Sequence, residues 1–257
     1  NPRCGTATNS TGISHTCTLT TTYVGHAFDY AVAFNERVTT AAYTKTEQTS
    51  LERSLLDLIE GASTSIDVAL YGLNRQRVVD ALVDADGRGV TVRVLGDDEA
   101  ASGSYSASYQ QLIDAGIPIV THSSPDIQHN KFAIVDGQRV WTGSTNLTDT
   151  GFTLNANNSL VITDTTMAGV YQTEFDEMWT GTFHRDKIDN TAHLFDYAGT
   201  LVESYFSPTD LVAFEVWDEL AHADETIHFA MFFWTDDLLT DRVIERLEQG
   251  VEVKGIC

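Results

Sequence analysis

A cluster of side chains that could bind and attack a phosphate group lies between His129 and Asn146, in the sequence HNKFAIVDGQRVWTGSTN. An imidazole and an ammonium group stand two residues apart, and the segment ends in a hydroxyl and an amide. A neutral imidazole can act as a nucleophile, and the other three groups can donate hydrogen bonds to phosphoryl oxygens. The candidate catalytic residues are therefore His129, Lys131, Ser144 and Asn146.

A β-hairpin is predicted to position these side chains. Asp136-Gly137 is a strong two-residue hairpin signal, and an apolar run lies on either side of it. Side chains alternate along a strand, so His129 and Lys131 are expected on the same face of the first strand. The chain then returns beside the start of that strand, which predicts that all four candidate side chains converge.

The spacing His-x-Lys, four residues, Asp, six residues, Gly-Ser-x-Asn resembles the signature of the phospholipase D superfamily, with every position present. The following segment, Asn158–Ile162, is similar to the Asn-led apolar strand of the nuclease-like and mitochondrial branches, and the nuclease-like bacterial branch is the nearest in character. The resemblance implies an α/β fold, with a mixed β-sheet flanked by helices on both faces. One full repeat and the start of a second are expected.

The resemblance also implies a chemistry, namely phosphodiester hydrolysis through a covalent phosphohistidine intermediate, with no cofactor and no metal required. His129 would be the nucleophile, and the histidine of a second motif would be the general acid, although the two roles could be exchanged. Lys131 and Asn146 would bind the phosphoryl oxygens, and Ser144 would position them or the ring. Asp136 is expected to be structural or simply a turn former.

Three functions are compatible with these residues. The leading hypothesis is hydrolysis of a phospholipid head group; the alternatives are a nuclease of the same fold and a non-catalytic interaction protein. The sequence holds 37 acidic and 15 basic side chains, a formal net charge of -22, which lacks the basic stripe typical of nucleic-acid binders. Salt screens this charge, so a nuclease is disfavoured without being excluded. The intact signature argues against the non-catalytic alternative.

The ends of the chain suggest its compartment. A disulfide between Cys4 and Cys17 would close a polar N-terminal loop, although two inert thiols are the alternative, and Cys257 is left over. The first residue is Asn1 and not Met, which indicates a processed or trimmed N-terminus. No apolar run approaches the roughly 18 residues of a membrane span, so no transmembrane segment is expected. These features favour a secreted or periplasmic protein.

Hydrophobic periodicity predicts alternating strands and helices, including a βαβ unit. The expected helices cover residues 51–59, 74–86, 109–115 and 166–179, and the expected strands cover 65–71, 90–95, 117–120 and 160–163. Asn74 and Arg75 could line the mouth of the site but are interpreted as surface residues, and Asp97-Asp98 as solvated loop charges. No spacing typical of a zinc site links the other histidines, which are His15, His26, His122, His184, His193, His222 and His228.

An internal repeat appears when the sequence is shifted by 161 residues, because Ser65–Tyr71 then falls on Thr226–Phe232. The predicted domains are a polar N-terminal extension (1–22), a first phospholipase D-like domain with the signature (23–185), a linker (186–200) and an incomplete second repeat (201–257). The counterpart of His129 would lie beyond Cys257. The expected partners are a phosphodiester substrate, phospholipid or nucleic acid, and a complementary chain or C-terminal half carrying the second motif, or a second copy in a homodimer. A shortened sequence is the alternative explanation.

Overall fold

The computed structural model describes residues 6–8, 14–16, 20–35 and 48–256. The chain divides into two compact units, Asn1–Ser204 and Tyr205–Cys257. The predicted disulfide and the remaining cysteine lie outside the described residues. Among the helices that are described, none combines the length and the apolar character needed to cross a membrane.

The first unit is organised around a seven-stranded mixed sheet. Its strands are β4 (Tyr30–Phe34), β5 (Ser65–Ala69), β6 (Thr91–Asp97), β7 (Ile119–His122), β8 (Phe132–Val135), β9 (Arg139–Gly143) and β10 (Asn158–Thr163). They lie in the order β4-β10-β9-β8-β5-β6-β7. Strands β5, β6 and β7 are parallel, and every other neighbouring pair is antiparallel. Strand β5 therefore joins the parallel half of the sheet to the hairpin formed by β8 and β9.

Helices cover both faces of this sheet. They are α1 (Ser50–Glu60), α2 (Gln76–Gly87), α3 (Asp98–Ser102), α4 (Ser106–Asp114), α5 (Asp149–Thr153) and α6 (Thr165–Trp179). The main core packs α1 and α2 against one face, which includes Ala133 of β8. Phe132, which directly precedes Ala133, points to the other face of the sheet. It contacts Tyr171 and Phe175 of α6, with ring centroids 5.1 and 6.4 Å away. The predicted mixed α/β sheet with helices on both faces is confirmed.

Helix α1 has a threonine as its N-terminal cap and a glycine as its C-terminal cap. The Thr49 hydroxyl accepts a hydrogen bond from the Glu52 backbone N–H at 3.2 Å, and Gly61 follows the last turn. Glu52 itself is fully buried and receives a bidentate pair from Arg75, at 2.6 and 2.7 Å. The prediction of Arg75 as a surface residue was therefore wrong. Its guanidinium is 2% exposed because this pair ties α1 to the start of α2.

Two further small sheets occupy segments that were expected to be irregular. Strands β1 (Thr6–Thr8) and β2 (Ser14–Thr16) pair within the predicted extension. Strand β3 (Thr21–Val24) pairs with β11 (Leu194–Tyr197), which also pairs with β12 (Thr200–Glu203). The structure thus differs from the predicted linker at 186–200. Leu194, Phe195 and Tyr197 are buried there, and this apolar content favours a strand over a solvated linker.

The second unit consists of α7 (Val212–Ala221), β13 (Thr226–Ala230), α8 (Asp237–Glu248) and β14 (Glu252–Ile256). Its two strands are parallel and pair Thr226 with Glu252. In the first unit, β5 and β6 pair Ser65 with Thr91, the same register at the 161-residue shift. The glycine before the second strand has a positive φ in both units, 88° at Gly89 and 96° at Gly250. The local architecture of β5-α2-β6 is therefore repeated in β13-α8-β14.

Candidate active site

The hairpin at the centre of the candidate site has the predicted tight turn. Asp136 and Gly137 have φ values of 56° and 61°, and the Gln138 backbone N–H donates to the Val135 carbonyl oxygen at 3.1 Å. Positive φ at both central residues is typical of a type I′ turn, which matches the twist of antiparallel strands. The prediction of a hairpin turning at Asp136-Gly137 is confirmed.

The Asp136 carboxylate joins this turn to the start of β5. It accepts hydrogen bonds from the backbone N–H groups of Ser63, Thr64 and Ser65, at 2.7 to 3.1 Å, and from the Ser63 and Thr64 hydroxyls. Desolvation acts to raise the pKa of Asp136, but the bonds from Thr64, Ser65 and Ser63 together hold it well below its usual range. The carboxylate is therefore ionised, and its hydrogen bonds to residues 63–65 give it a structural role.

His129 lies three residues before the start of β8, whereas the sequence predicted that it would lie on the strand. The strand begins only at Phe132, because the neighbouring Asn130 N–H donates to the Gln128 side-chain oxygen (2.6 Å) and not to another strand. The Gln128 backbone N–H donates in turn to the buried Asp97 carboxylate at 3.0 Å. Gln128 thus fixes the backbone on both sides of His129.

Protein groups around the His129 ring favour its neutral form. The ring lies edge-on to Tyr71, with centroids 5.0 Å apart. Although His129 remains accessible to solvent, desolvation by its surroundings lowers its pKa, and the charge of Lys131 lowers it further. Asp97 acts in the opposite direction. A neutral imidazole with a free lone pair is the form that can attack phosphorus.

Lys131 supplies positive charge beside the histidine. Its Nζ donates to the His129 carbonyl oxygen at 2.8 Å and lies 5.9 Å from the centroid of the Tyr71 ring. Desolvation lowers the pKa of Lys131 to about 8, so the ammonium is mostly protonated at neutral pH. Two of its three N–H donors remain available for an anionic oxygen.

Asn146 is brought to the same end of β5 by a backbone contact. Leu147, the next residue, forms an isolated parallel bridge with Leu73 and accepts hydrogen bonds from the N–H groups of Asn74 and Arg75, both at 3.1 Å. The Asn146 side-chain oxygen is buried and has no hydrogen-bond partner among the described residues. This oxygen is a hydrogen-bond acceptor and could take a bond from a ligand donor, whereas a phosphoryl oxygen would have to bind the Asn146 amide N–H₂ group.

Ser144 is held by strand β10. Its hydroxyl donates to the Asn157 side-chain oxygen and accepts from the Asn158 backbone N–H, each at 3.1 Å. The preceding Gly143 packs so closely on β10 that an added Cβ would lie 2.3 Å from the Asn158 carbonyl oxygen. These contacts suit Ser144 to fixing the loop that carries Asn146, which is a positioning role.

Sequence reasoning missed three residues around the candidate nucleophile: Tyr71, Asp97 and Gln128. Asp97 had been interpreted as a solvated loop charge, and this was wrong, because it is 2% exposed and also caps α3 through the Ala100 N–H at 2.9 Å. The available signal was weak. Gln128 directly precedes His129 in the sequence, but only the folded chain shows that its side chain turns back to the backbone.

Comparison with known proteins gives consistent matches over this region. Residues 55–179 match a family model described as "Cardiolipin synthase, PLD-like domain". A mitochondrial cardiolipin hydrolase of Xenopus laevis is 35% identical over 132 residues, which cover 51% of this chain and 61% of the relative. A phospholipase D of Rickettsia prowazekii is 35% identical over 142 residues, covering 54% and 64%. The chain thus spans about three fifths of the length of these curated relatives.

Among solved structures, Nuc from Salmonella typhimurium, a phospholipase D family member, is similar with a TM-score of 0.50 and 31% identity. The match covers 59% of this chain and 95% of Nuc. It therefore includes nearly the whole of that protein.

The close approach of Gly143 to β10 predicts the effect of adding a methyl group there. Gly143→Ala should lower the free energy of unfolding by about 2–4 kcal/mol, because its φ of 152° and the Asn158 oxygen both oppose a Cβ. Gly169→Ala is the matched control, since this exposed position in α6 has open space and should gain about 0.5–1 kcal/mol. Urea unfolding measures both. Equal effects at the two positions would contradict the proposed packing.

Proposed function

Because this chain belongs to the phospholipase D superfamily, we propose that it is a phosphodiester hydrolase in which His129 forms a covalent phosphohistidine intermediate. The observation that carries the proposal is the neutral, accessible imidazole of His129 beside the desolvated ammonium of Lys131. Positive charge next to a nucleophile in a partly dry site stabilises the charge that builds on phosphoryl oxygens.

The reaction would proceed in two displacements. The lone pair of a His129 ring nitrogen attacks phosphorus, and the bond from phosphorus to the leaving alcohol oxygen breaks as that oxygen takes a proton from a general acid. Water then attacks the phosphohistidine, gives up a proton to the same group, and restores the free imidazole. Lys131 and Asn146 would hold the phosphoryl oxygens throughout, and Ser144 would keep their loop in place.

The general acid would come from a second His-x-Lys motif, since this sequence contains that pattern once, at His129. We propose that a complementary chain, a C-terminal half or a second subunit supplies it. Support comes from the second unit, where β13 and β14 repeat the register of β5 and β6. In the first unit the motif-bearing strand β8 pairs with β5, so a second motif would find its corresponding place beside β13.

A phospholipid head group is the substrate class that we favour. The relatives named above include a cardiolipin hydrolase and a phospholipase D. An isoleucine two residues before the candidate nucleophile, Ile127, is 47% exposed and could contact the apolar part of a lipid. The net charge of -22 opposes the approach of a long polyanion.

A nuclease of the same fold is the second candidate. The observation in its favour is the match to Nuc, which extends over 95% of that structure and agrees with the predicted likeness to the nuclease-like bacterial branch. Both candidates use the same phosphodiester chemistry, so they differ only in what surrounds the phosphate. Direct comparison of substrates is therefore the appropriate test.

Replacing the nucleophile should abolish turnover. His129→Ala is expected to reduce hydrolysis at least about 1,000-fold on the preferred substrate among phosphatidylcholine vesicles, single-stranded DNA and a chromogenic phosphodiester. His222→Ala, at an exposed helix end, is the matched control and should retain activity. Rapid quench of labelled substrate into an alkaline denaturant, in which the acid-labile P–N bond survives, should trap the labelled phosphoryl group on wild-type protein only. Full activity of His129→Ala would refute the mechanism, and preference for DNA would refute the lipid assignment.

The two charged groups predict a bell-shaped dependence of kcat/KM on pH. Activity should rise as His129 loses its proton, with an apparent pKa below 6.5, and fall as Lys131 loses its proton near pH 8. Lys131→Arg keeps its charge across this range, so it should remove the alkaline fall even where the maximal rate is lower. An unchanged alkaline fall in this variant would show that Lys131 does not cause it.

The mass of the active species tests the shared site. Native mass spectrometry of the purified protein should detect a complex larger than the 28.2 kDa chain, either a dimer or a complex with a second polypeptide. Spectra under reducing conditions would separate a disulfide-linked partner from a non-covalent one. If size-exclusion chromatography places the activity only in the fraction that contains the single 28.2 kDa chain, the proposal is contradicted.

A further inference from the structure

Two histidines that are distant in sequence meet at the edge of the first unit. His122 is the last residue of β7, and His184 begins the short 3₁₀ turn His184–Asp186 that follows α6. Their ring centroids are 5.6 Å apart and their planes are inclined by 54°. The buried ring of Phe183 stacks on His122 at 5.1 Å, so the pair is packed against the protein.

Each of these rings has a buried nitrogen without a partner. His122 Nδ1 and His184 Nε2 are shielded from solvent, and neither makes a hydrogen bond to any part of the chain that the structure describes. An unpaired buried polar nitrogen is unfavourable, so two of them in adjacent rings are suited to a shared binding partner.

We propose that His122 and His184 together bind a divalent transition-metal ion of the zinc class. With a zinc–nitrogen bond of about 2.1 Å and an imidazole radius of about 1.2 Å, tetrahedral coordination places two ring centroids about 5.4 Å apart. The observed centroid separation of 5.6 Å is compatible with an ion bound between the rings. Water or an anionic ligand would complete the coordination. The site is separate from the phosphodiester chemistry, which requires no metal in the scheme above.

Both negative and positive side chains surround the pair. Asp126 and Asp97 both act on His184 as negative charges, and Asp97 lies opposite His122 in the register of β6 and β7. Lys187 acts in the opposite direction, but it forms a buried ion pair with Glu174 at 2.5 Å. Desolvation and His122 lower the pKa of His184, which keeps its ring available as a neutral ligand.

The backbone at His184 provides a separate indication of a functional constraint. Its φ is 54°, in the left-handed region that a residue with a Cβ seldom adopts. Such a conformation is unfavourable and persists only where surrounding contacts hold it, and such residues cluster at ligand sites. In this turn the His184 ring lies beside His122.

Zinc titration of the full protein tests the proposal. Zn²⁺ should bind at this site, perturb the NMR signals of His122 and His184 together, and raise the melting temperature by about 3–5 °C at tenfold excess over the dissociation constant. Mg²⁺ at the same concentration should produce none of these effects at the two histidines, because it prefers oxygen ligands. It would bind only to carboxylates of the acidic surface.

Two variants remove ring nitrogens while retaining the local packing. His122→Phe keeps an aromatic ring against Phe183, and His184→Asn tolerates a positive φ. Each should weaken zinc binding at least about tenfold, while His222→Ala should leave it unchanged. Circular dichroism would verify that the variants are folded.

The proposal is overturned if wild-type protein binds no zinc, or if both folded variants bind it as wild type does. Neither result would bear on the phosphohistidine proposal, which is measured on His129 and on phosphodiester substrates.

Discussion

The candidate active site depends on one carboxylate, that of Asp136, and on the backbone it holds. By accepting three backbone N–H groups from residues 63–65, it fixes the turn of the β8–β9 hairpin at the start of β5. Strands β5 and β8 then pair from Ile66 opposite Val135 to Ala69 opposite Phe132. A slip of one residue would turn every side chain of β8 to the other face. The turn at one end of the hairpin therefore determines where His129 emerges at the other.

The opposite side of the site is fixed by close packing of backbone on backbone. Thr145 is fully buried and its hydroxyl donates to the Asn158 carbonyl oxygen at 3.1 Å, next to the contacts of Gly143 and Ser144 with the same strand. Strand β10 thus holds the loop that ends in Asn146. A site built on such contacts needs little reorganisation when a phosphate binds, and preorganisation is what makes fixed dipoles effective in catalysis.

Local signals in the sequence predicted much of this arrangement. Asp136-Gly137 tolerates two positive φ values and so predicted the turn, and hydrophobic periodicity predicted the helix at 51–59 that the structure extends to Ser50–Glu60. The contacts missed by sequence reasoning join residues far apart in the chain, such as Asp97 with Gln128. Alternation alone placed His129 on a strand, because nothing local shows that Gln128 replaces the neighbouring strand as hydrogen-bond partner. The roles of the signature residues themselves were inferred from the family pattern.

The placement of charge explains how an acidic protein can offer a site for an anion. Arg53, Arg75 and Arg93 are each paired with carboxylates. Lys131, in contrast, forms no salt bridge with any described carboxylate and is held by the His129 carbonyl. Long-range repulsion from the surface falls off within about 8–10 Å at physiological salt. Within a partly desolvated site, the unpaired ammonium acts over a few ångströms and outweighs the distant negative charges. In the proposed function, phosphate recognition would therefore depend on short-range contacts, and an overall basic surface would not be required.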